Sequence, residues 1–356
     1  MPLMSDLLWL FVPFFLLVLC GWGAVRAGLV DPGGIGALNG FVLFFGLPAM
    51  LFRLGASGAL MQPGLPGLLL AYGLGGATVT ALALWLGRRS GWSHRDTGLV
   101  ALAAAFPNTG FLGLPLLTGL LGAQAAGPVA ATLIIDVLLL SSLCLAWAHR
   151  GASGSWWGLW AAPLKGALRN PLLWSMALGV AWWASGWQMA RAFDDTLRLL
   201  ALAASPAALF TLGAILARAQ MKAPASAGAA GGMPANGPSG AHHDANHGAA
   251  DRAENGAERR LLFTLVGAKL LLHPLLVLGA GELVHALGWP LSGFGLTTLV
   301  MAAALPSASN VSMLAEREGA DTTRVARLIM WTTAGSWLTL AAWAAWRGAQ
   351  LPAVAG

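Results

Sequence analysis

Apolar segments of about 20 residues recur along the whole chain and are separated by short polar connections. An apolar helix of about 20 residues crosses the roughly 30 Å hydrocarbon core of a bilayer. The pattern therefore predicts an all-α, polytopic membrane protein. The first apolar run lacks a basic leader, so we interpret it as a membrane helix and not as a signal peptide. Ten spans are predicted, at about 6–26, 35–55, 65–87, 96–121, 126–148, 168–188, 195–218, 260–287, 290–316 and 321–346.

Spans four and nine are each interrupted by proline and hydrogen-bonding residues at corresponding places in the two halves. Proline removes a backbone donor and clashes with the preceding turn, so both helices should break. A proline kink filled by small residues would explain one such segment. A matched pair is a better pointer to a transporter's binding site. The candidate substrate-binding residues are Pro107, Asn108, Thr109, Pro306, Ser307, Ser309 and Asn310.

Two broken helices that cross would bring two half-helix N-termini toward the middle of the membrane. Each N-terminus carries roughly half a positive charge on unpaired N–H groups. Such a place favours an anion, most simply a carboxylate. Neither broken segment supplies a carboxylate that could hold a cation.

The spacing of prolines indicates that the two halves are repeats. Pro48 precedes Pro107 by 59 residues, and Pro206 precedes Pro306 by the same distance once the segment 219–259 is left out. An odd number of spans per half forces the halves to cross in opposite senses, which gives an inverted repeat. We expect one five-helix repeat at 1–150 and another at 151–218 with 260–347. The Ala-, Gly- and Pro-rich segment 219–259 is predicted to be a disordered loop.

Composition and charge support this interpretation. The 356 residues are 57% hydrophobic and only 10% charged, whereas soluble domains carry about 25% charged residues. With the N-terminus outside, 15 of the 20 lysines and arginines fall on the cytoplasmic side and four outside. The positive-inside rule therefore predicts that both termini lie outside the cytoplasmic membrane. The same rule explains the net charge of +6 without a nucleic-acid partner.

Two ionisable residues lie within predicted spans and are candidates for ion coupling. Asp136 is near the middle of span five, where an ionised acid costs at least about 2.5 kcal/mol, and Lys269 is in span eight. Asp136 could instead be a neutral structural acid. Lys269 could pair with Asp136, contact an anionic substrate, or snorkel to the surface. A proton or Na⁺ remains open as the coupling ion.

The sequence predicts no cofactor and no metal site. Cys20 and Cys144 lie in apolar runs without a CxxC spacing, and the histidines at 242–247 fall in the predicted loop. A channel would need rings of charge or a filter sequence. An intramembrane enzyme would need a second acid or a nucleophile and base at membrane depth. Neither pattern is found, so we expect no enzyme activity and keep both as alternatives to a transporter.

The sequence resembles the auxin efflux carrier family, in its bacterial branch, over nearly the whole chain. The resemblance rests on Pro107-Asn108-Thr109-Gly110-Phe111-Leu112-Gly113-Leu114-Pro115-Leu116, with weaker support from Leu47-Pro48-Ala49-Met50-Leu51-Phe52, Asn170-Pro171, Leu212-Gly213, Lys269-Leu270 with Pro274, Pro306-Ser307-Ala308 and Leu314-Ala315.

The resemblance implies a five-plus-five fold. Spans 1, 2, 6 and 7 would form a scaffold with a homodimer surface, and the remaining spans would form a mobile core. Asn108 matches the asparagine that helps bind the auxin carboxylate in plant carriers, whereas Asn310 matches less closely. Bacterial members are associated with malonate, malate and similar carboxylates.

Overall fold

The computed structural model describes residues 4–31, 33–61, 64–150, 171–229 and 256–348. These residues form helices joined by turns, and no β-strand occurs among them. The helices are α1 Met4–Arg26, α2 Ile35–Ala56, α3 Leu65–Arg89, α4 His94–Ala105, α5 Thr109–Leu121, α6 Ala123–Ala148, α7 Pro171–Ser185, α8 Arg191–Ala229, α9 Gly256–Ala286, α10 Gly293–Ala303, α11 Asn310–Glu318 and α12 Thr322–Gly348.

Several of these helices have the length and composition of membrane spans. Within the described ranges, five are both long and apolar enough to cross a bilayer: α2, α3, α6, α9 and the part of α8 that runs to Arg218. Shorter apolar helices include α5, the second half of span four, and α10, the first half of span nine. The chain is therefore a multi-pass membrane protein.

The predicted breaks in spans four and nine are present. α4 ends at Ala105 and α5 begins at Thr109, while α10 ends at Ala303 and α11 begins at Asn310. Both broken spans also start alike. Ser93 Oγ accepts a hydrogen bond from Asp96 N (3.0 Å), and Ser292 Oγ accepts one from Gly295 N (3.0 Å). Such N-caps satisfy backbone donors that a helix start leaves unpaired.

One predicted boundary differs from the structure. α8 continues past residue 218 to Ala229, inside the segment predicted as a loop. Alanine is the residue with the highest helix propensity, and the stretch after Arg218 contains several. The following residues, 230–255, lie outside the described part of the chain, as does the histidine group at 242–247.

The helices pack in two groups. In the first, α1 packs on α8 and α2 packs on α7 and α8. Close approach there depends on glycine pairs: a Cβ on Gly55 would lie 2.5 Å from Met176 O, and one on Gly179 would lie 2.2 Å from Phe52 O. Membrane helices associate largely through such backbone proximity. In the second group, α3 packs on α4 and α9, α4 packs on α6, and α9 packs on α10.

An ionic cluster ties helices of the second group together at one end. The Arg324 guanidinium of α12 lies 3.1 Å from Glu258 of α9, 3.5 Å from Asp96 of α4 and 3.3 Å from Asp321. Asp96 also accepts a hydrogen bond from Asp321 N at 2.7 Å. Because a network of partly buried charges is worth more than isolated surface pairs, these contacts favour movement of α4, α9 and α12 as one unit.

Candidate functional site

The two breaks cross and hydrogen-bond to each other. Asn108 N donates to Pro306 O at 2.7 Å, and Ala308 N donates to Phe106 O at 3.0 Å. These reciprocal bonds form an antiparallel bridge in which Pro107 lies opposite Ser307. Non-helical backbone is tolerated at membrane depth only where it is buried or lines a cavity. The bridge satisfies part of this backbone within the protein.

The polar side chains at the crossing retain unused hydrogen-bonding capacity. Asn108 is 3% exposed and its Nδ2 has no partner among the described residues. The same holds for the fully buried Ser309 Oγ and for Asn310 Oδ1. Buried polar atoms are almost always paired. Three unpaired atoms where the two breaks cross therefore indicate a place suited to a ligand or water.

Each break also exposes the start of a helix. α5 begins directly after Asn108, and α11 begins directly after Ser309. Neither start has a side-chain cap, whereas α4 and α10, the first halves of the same two spans, begin with serine caps. Uncapped first-turn N–H groups bind anions, assisted by the helix dipole.

A cavity of about 740 Å³ leads to the crossing. Pro107, Asn108 and Asn310 line one end, and His149, Arg317 and Glu318 line the other. The wall between them is apolar, formed by residues of α2, α4, α6 and α11 such as Leu47, Leu102, Val137 and Leu314. The cavity therefore joins the crossing to the end of the molecule that the basic residues predict to be cytoplasmic.

Asp136 is buried next to the first break. Its carboxylate accepts hydrogen bonds from Tyr72 Oη (2.9 Å) and Thr109 Oγ1 (3.5 Å). It begins a π-helical turn, Asp136–Leu140, within α6. Such turns are frequent at functional sites because they re-aim side chains. Through Thr109, the acid contacts the first residue of the half-helix α5.

Lys269 is buried next to the second break and lies in a second π-helical turn, Ala268–Leu272. Its Nζ donates to Ala303 O at 3.1 Å and lies 3.2 Å from His273 Nδ1. Ala303 is the last residue of α10, so the lysine interacts with the negative end of that helix. Lys269 is fully buried, so it does not snorkel, and it forms no direct ion pair with Asp136.

The two buried charges are nevertheless connected. The Tyr72 ring packs against the His273 ring, with 5.8 Å between centroids. A path of contacts therefore runs from Thr109 through Asp136, Tyr72 and His273 to Lys269, with hydrogen bonds at every step except the ring contact between Tyr72 and His273. The path contacts α5 at one end and α10 at the other, and so touches both broken spans.

The predicted site residues thus fall into three sets. Pro107, Asn108 and Asn310 line the cavity; Thr109 contacts Asp136; Ser307 and Ser309 are buried at the crossing beside Pro306. The sequence reasoning missed Tyr72, although it is the only tyrosine in the chain. Thr332, which comes from α12, supports the second break, because its Oγ1 accepts a hydrogen bond from Ser307 N at 3.2 Å. Among the described residues, no cluster of three or more His, Cys, Asp or Glu could hold a metal.

The fold and the crossing define a class: an α-helical, multi-pass membrane protein with two broken helices that meet at a buried polar centre. The family described as "Membrane transport protein" matches residues 7–344. The chain therefore belongs to this family, the auxin efflux carrier family that its motifs resemble. A relative from Rhizobium meliloti (strain 1021), named "Putative malonate transporter", is 28% identical over 342 residues, which is 93% of this chain and 92% of the relative. Family membership indicates a transporter rather than an enzyme.

Proposed function

We propose that the protein is a secondary transporter that moves a small organic anion with a carboxylate group through the crossing by alternating access. The observation that carries this proposal is the set of unpaired polar atoms and uncapped helix starts at one end of the 740 Å³ cavity. The substrate carboxylate would accept hydrogen bonds from Asn108 Nδ2, Ser309 Oγ and the Asn310 amide, beside the uncapped starts of α5 and α11.

A carboxylate fits these groups better than a cation does. Most of the unused capacity consists of N–H and O–H donors, and two helix N-termini add partial positive charge. The relative's printed name, which mentions malonate, supports the same chemical class. A malonate-sized anion is therefore the first substrate to test, followed by malate and monocarboxylates.

Reciprocal helix contacts support a ten-helix inverted repeat. In two inverted five-span repeats, span one corresponds to span six and span two to span seven. The contact of α1 with α8 joins spans one and seven, and the contact of α2 with α7 joins spans two and six. Replacing each span by its counterpart in the other half turns the first contact into the second. α3 on α9 pairs the corresponding spans three and eight. The mutual hydrogen bonds of the crossing have the same reciprocity.

The two packing groups support a division into a scaffold and a mobile core. α1, α2, α7 and α8 would stay fixed, with a homodimer surface, while α3–α6 and α9–α12 would carry the crossing across the membrane. In the predicted orientation, with both termini outside the cytoplasmic membrane, the cavity runs from the crossing to the cytoplasmic end. The structure would then correspond to an inward-facing state.

Asp136 is the proposed coupling residue, with Lys269 as its buried counter-charge. The groups that contact the Asp136 carboxylate are the hydroxyls of Tyr72 from α3 and Thr109 from α5; Lys269 and His273 are the ionisable groups of α9 nearest to it. A Na⁺ site needs several oxygen acceptors, whereas these hydroxyls donate to the acid. A proton is therefore favoured over Na⁺: it would bind the carboxylate oxygen on one side and leave from it on the other.

The decisive experiment is uptake of labelled malonate and malate into proteoliposomes that contain the purified protein, with and without an imposed pH gradient. Saturable uptake that falls in Asn108→Ala but persists in Thr118→Val is the expected result. Thr118 is a fair control because it lies on α5 and its hydroxyl donates only within its own helix. Non-saturating conductance would instead indicate a channel, and a chemically altered substrate would indicate an enzyme.

A further inference from the structure

One face of α11 follows the cavity from the crossing to its far end. Asn310, Leu314 and Arg317 all line the cavity, at relative positions i, i+4 and i+7. Residues with this spacing share one face of a helix. α11 therefore presents a polar group at each end of the cavity and an apolar surface between them.

At the far end, the guanidinium of Arg317 has no acidic partner among the described residues. Glu318, the acidic residue of the lining, is held by His149 with 2.8 Å between Oε2 and Nε2. Arg317 is exposed, and no carboxylate of the described residues lies within 4.0 Å of its guanidinium. Arg95 adds a second cation nearby, because its Nη1 would be 3.4 Å from a Cβ on Gly319. Glu316 is exposed on the same helix but does not line the cavity.

The spacing separates Arg317 from the crossing. Seven residues of α-helix correspond to about 10.5 Å along the axis. A three-carbon dicarboxylate is too short to contact Asn310 and Arg317 at once. An anion of this size must therefore occupy the two ends of the cavity one after the other.

We propose that Arg317 forms a second anion site, which captures carboxylates at the predicted cytoplasmic end of the cavity before they reach the crossing. The identity of the captured anion rests on the proposed function, whereas the positive potential near Arg317 does not depend on it. Charge that lines one end of a low-dielectric cleft raises the local concentration of the opposite ion. Glu318 contacts His149 and not Arg317, so the Arg317 guanidinium is left without a carboxylate partner.

The first test measures the electrostatic potential and does not require transport. Leu314→Cys is introduced after Cys20 and Cys144 are replaced by serine and alanine, and its modification rates by anionic and cationic methanethiosulfonates are compared at low salt. Adding Arg317→Gln should lower the anionic-to-cationic rate ratio on the order of 10-fold, and Arg317→Lys should restore most of it. Arg89→Gln is the matched control, because Arg89 lies at the same predicted membrane side and stacks on Trp85 away from the cavity. A ratio that is unchanged by Arg317→Gln would overturn the proposal.

The second test links the site to malonate flux. In proteoliposomes sorted by orientation, Arg317→Gln should raise the KM for malonate several-fold from the predicted cytoplasmic side only, leave Vmax within about twofold, and weaken the salt dependence of the rate. An equal change from both sides would contradict capture at one end. If the wild type does not move malonate, the proposed substrate fails while the rate ratio at Leu314→Cys still decides the anion site.

Discussion

The two breaks share their backbone arrangement but differ in how their side chains are supported. At the second break, Ser307 N and Oγ both bond to Thr332 Oγ1, at 3.2 and 3.1 Å. At the first break, Asn108 Nδ2 has no partner among the described residues and faces the cavity. Ser307 is therefore supported by a neighbouring helix, whereas Asn108 keeps an unpaired donor; farther along the second break, Ser309 Oγ and Asn310 Oδ1 are also unpaired.

A one-residue shift of proline accounts for part of this difference. The bridge is antiparallel with Pro107 opposite Ser307, so Pro306 lies opposite Asn108, and its counterpart in the other half is Phe106 rather than Pro107. Pro107 has no N–H, and the equivalent Ser307 N–H needs an acceptor, which Thr332 supplies. If the two prolines are aligned instead, the residue equivalent to Asp136 in the second half is Gly335. Counting the same step from the bridged pair Pro107 and Ser307 leads to Asp136 in one half and to Ser336 in the other.

The strongest test of this asymmetry replaces the acid. Asp136→Asn should abolish the stimulation of uptake by a pH gradient and leave substrate binding measurable, because the amide keeps the shape and cannot exchange a proton. Ser336→Ala, at the position equivalent to Asp136 when residues are counted from the bridge, should keep the stimulation. Liposome uptake with and without the gradient measures both. Uptake by the wild type that ignores the gradient would make Asp136 a structural acid.

The next largest effect concerns binding at the first break. Asn108→Ala should weaken carboxylate affinity about 10- to 100-fold, because a hydrogen bond to a charged group contributes about 1.5–3 kcal/mol. Ser307→Ala should change affinity far less, since its hydroxyl is already paired with Thr332. Thermal-shift titration with malonate and malate compares the two variants. If Asn108→Ala binds the carboxylates with the affinity of the wild type within about twofold, Asn108 is not part of the binding site.

The second break should respond in stability rather than in binding. Thr332→Val removes the acceptor of Ser307 N and the partner of Ser307 Oγ, so the free energy of unfolding should fall by about 1–3 kcal/mol. Thr339→Val is the matched control, because the Thr339 hydroxyl donates only to carbonyls of its own helix. Denaturant midpoints in detergent measure the difference. A similar loss in both variants would show that Thr332 does not specifically support the break.

The smallest effect is expected far from either break. Replacing residues 230–255 by a short Gly/Ser linker should leave uptake within about twofold of the wild type, because the apolar residues of this segment are alanines and one methionine without a helical or strand period. Normal insertion with lost uptake would instead assign the segment a regulatory or structural role.

The amino-acid sequence alone determined the membrane class, the two break points and most helix bounds to within a few residues, but not the end of α8, which continues past residue 218 to Ala229. These features follow from local chemistry: an apolar run must be about 20 residues long to cross a bilayer, and proline cannot continue a helix. The family motif around Asn108 was equally local. The inverted ten-helix arrangement and the roles of Asp136 and Lys269 stay predictions.

Only the tertiary structure decided which polar groups are paired. The sequence left three partners open for Lys269, and the structure gives it Ala303 O and His273. Tyr72 became significant because it meets Asp136 from a helix 64 residues away in sequence. The register of the crossing was likewise set by Asn108 N on Pro306 O and Ala308 N on Phe106 O. Sequence patterns report which groups are present at membrane depth, but hydrogen bonds form between whichever groups the packed helices bring within about 3 Å.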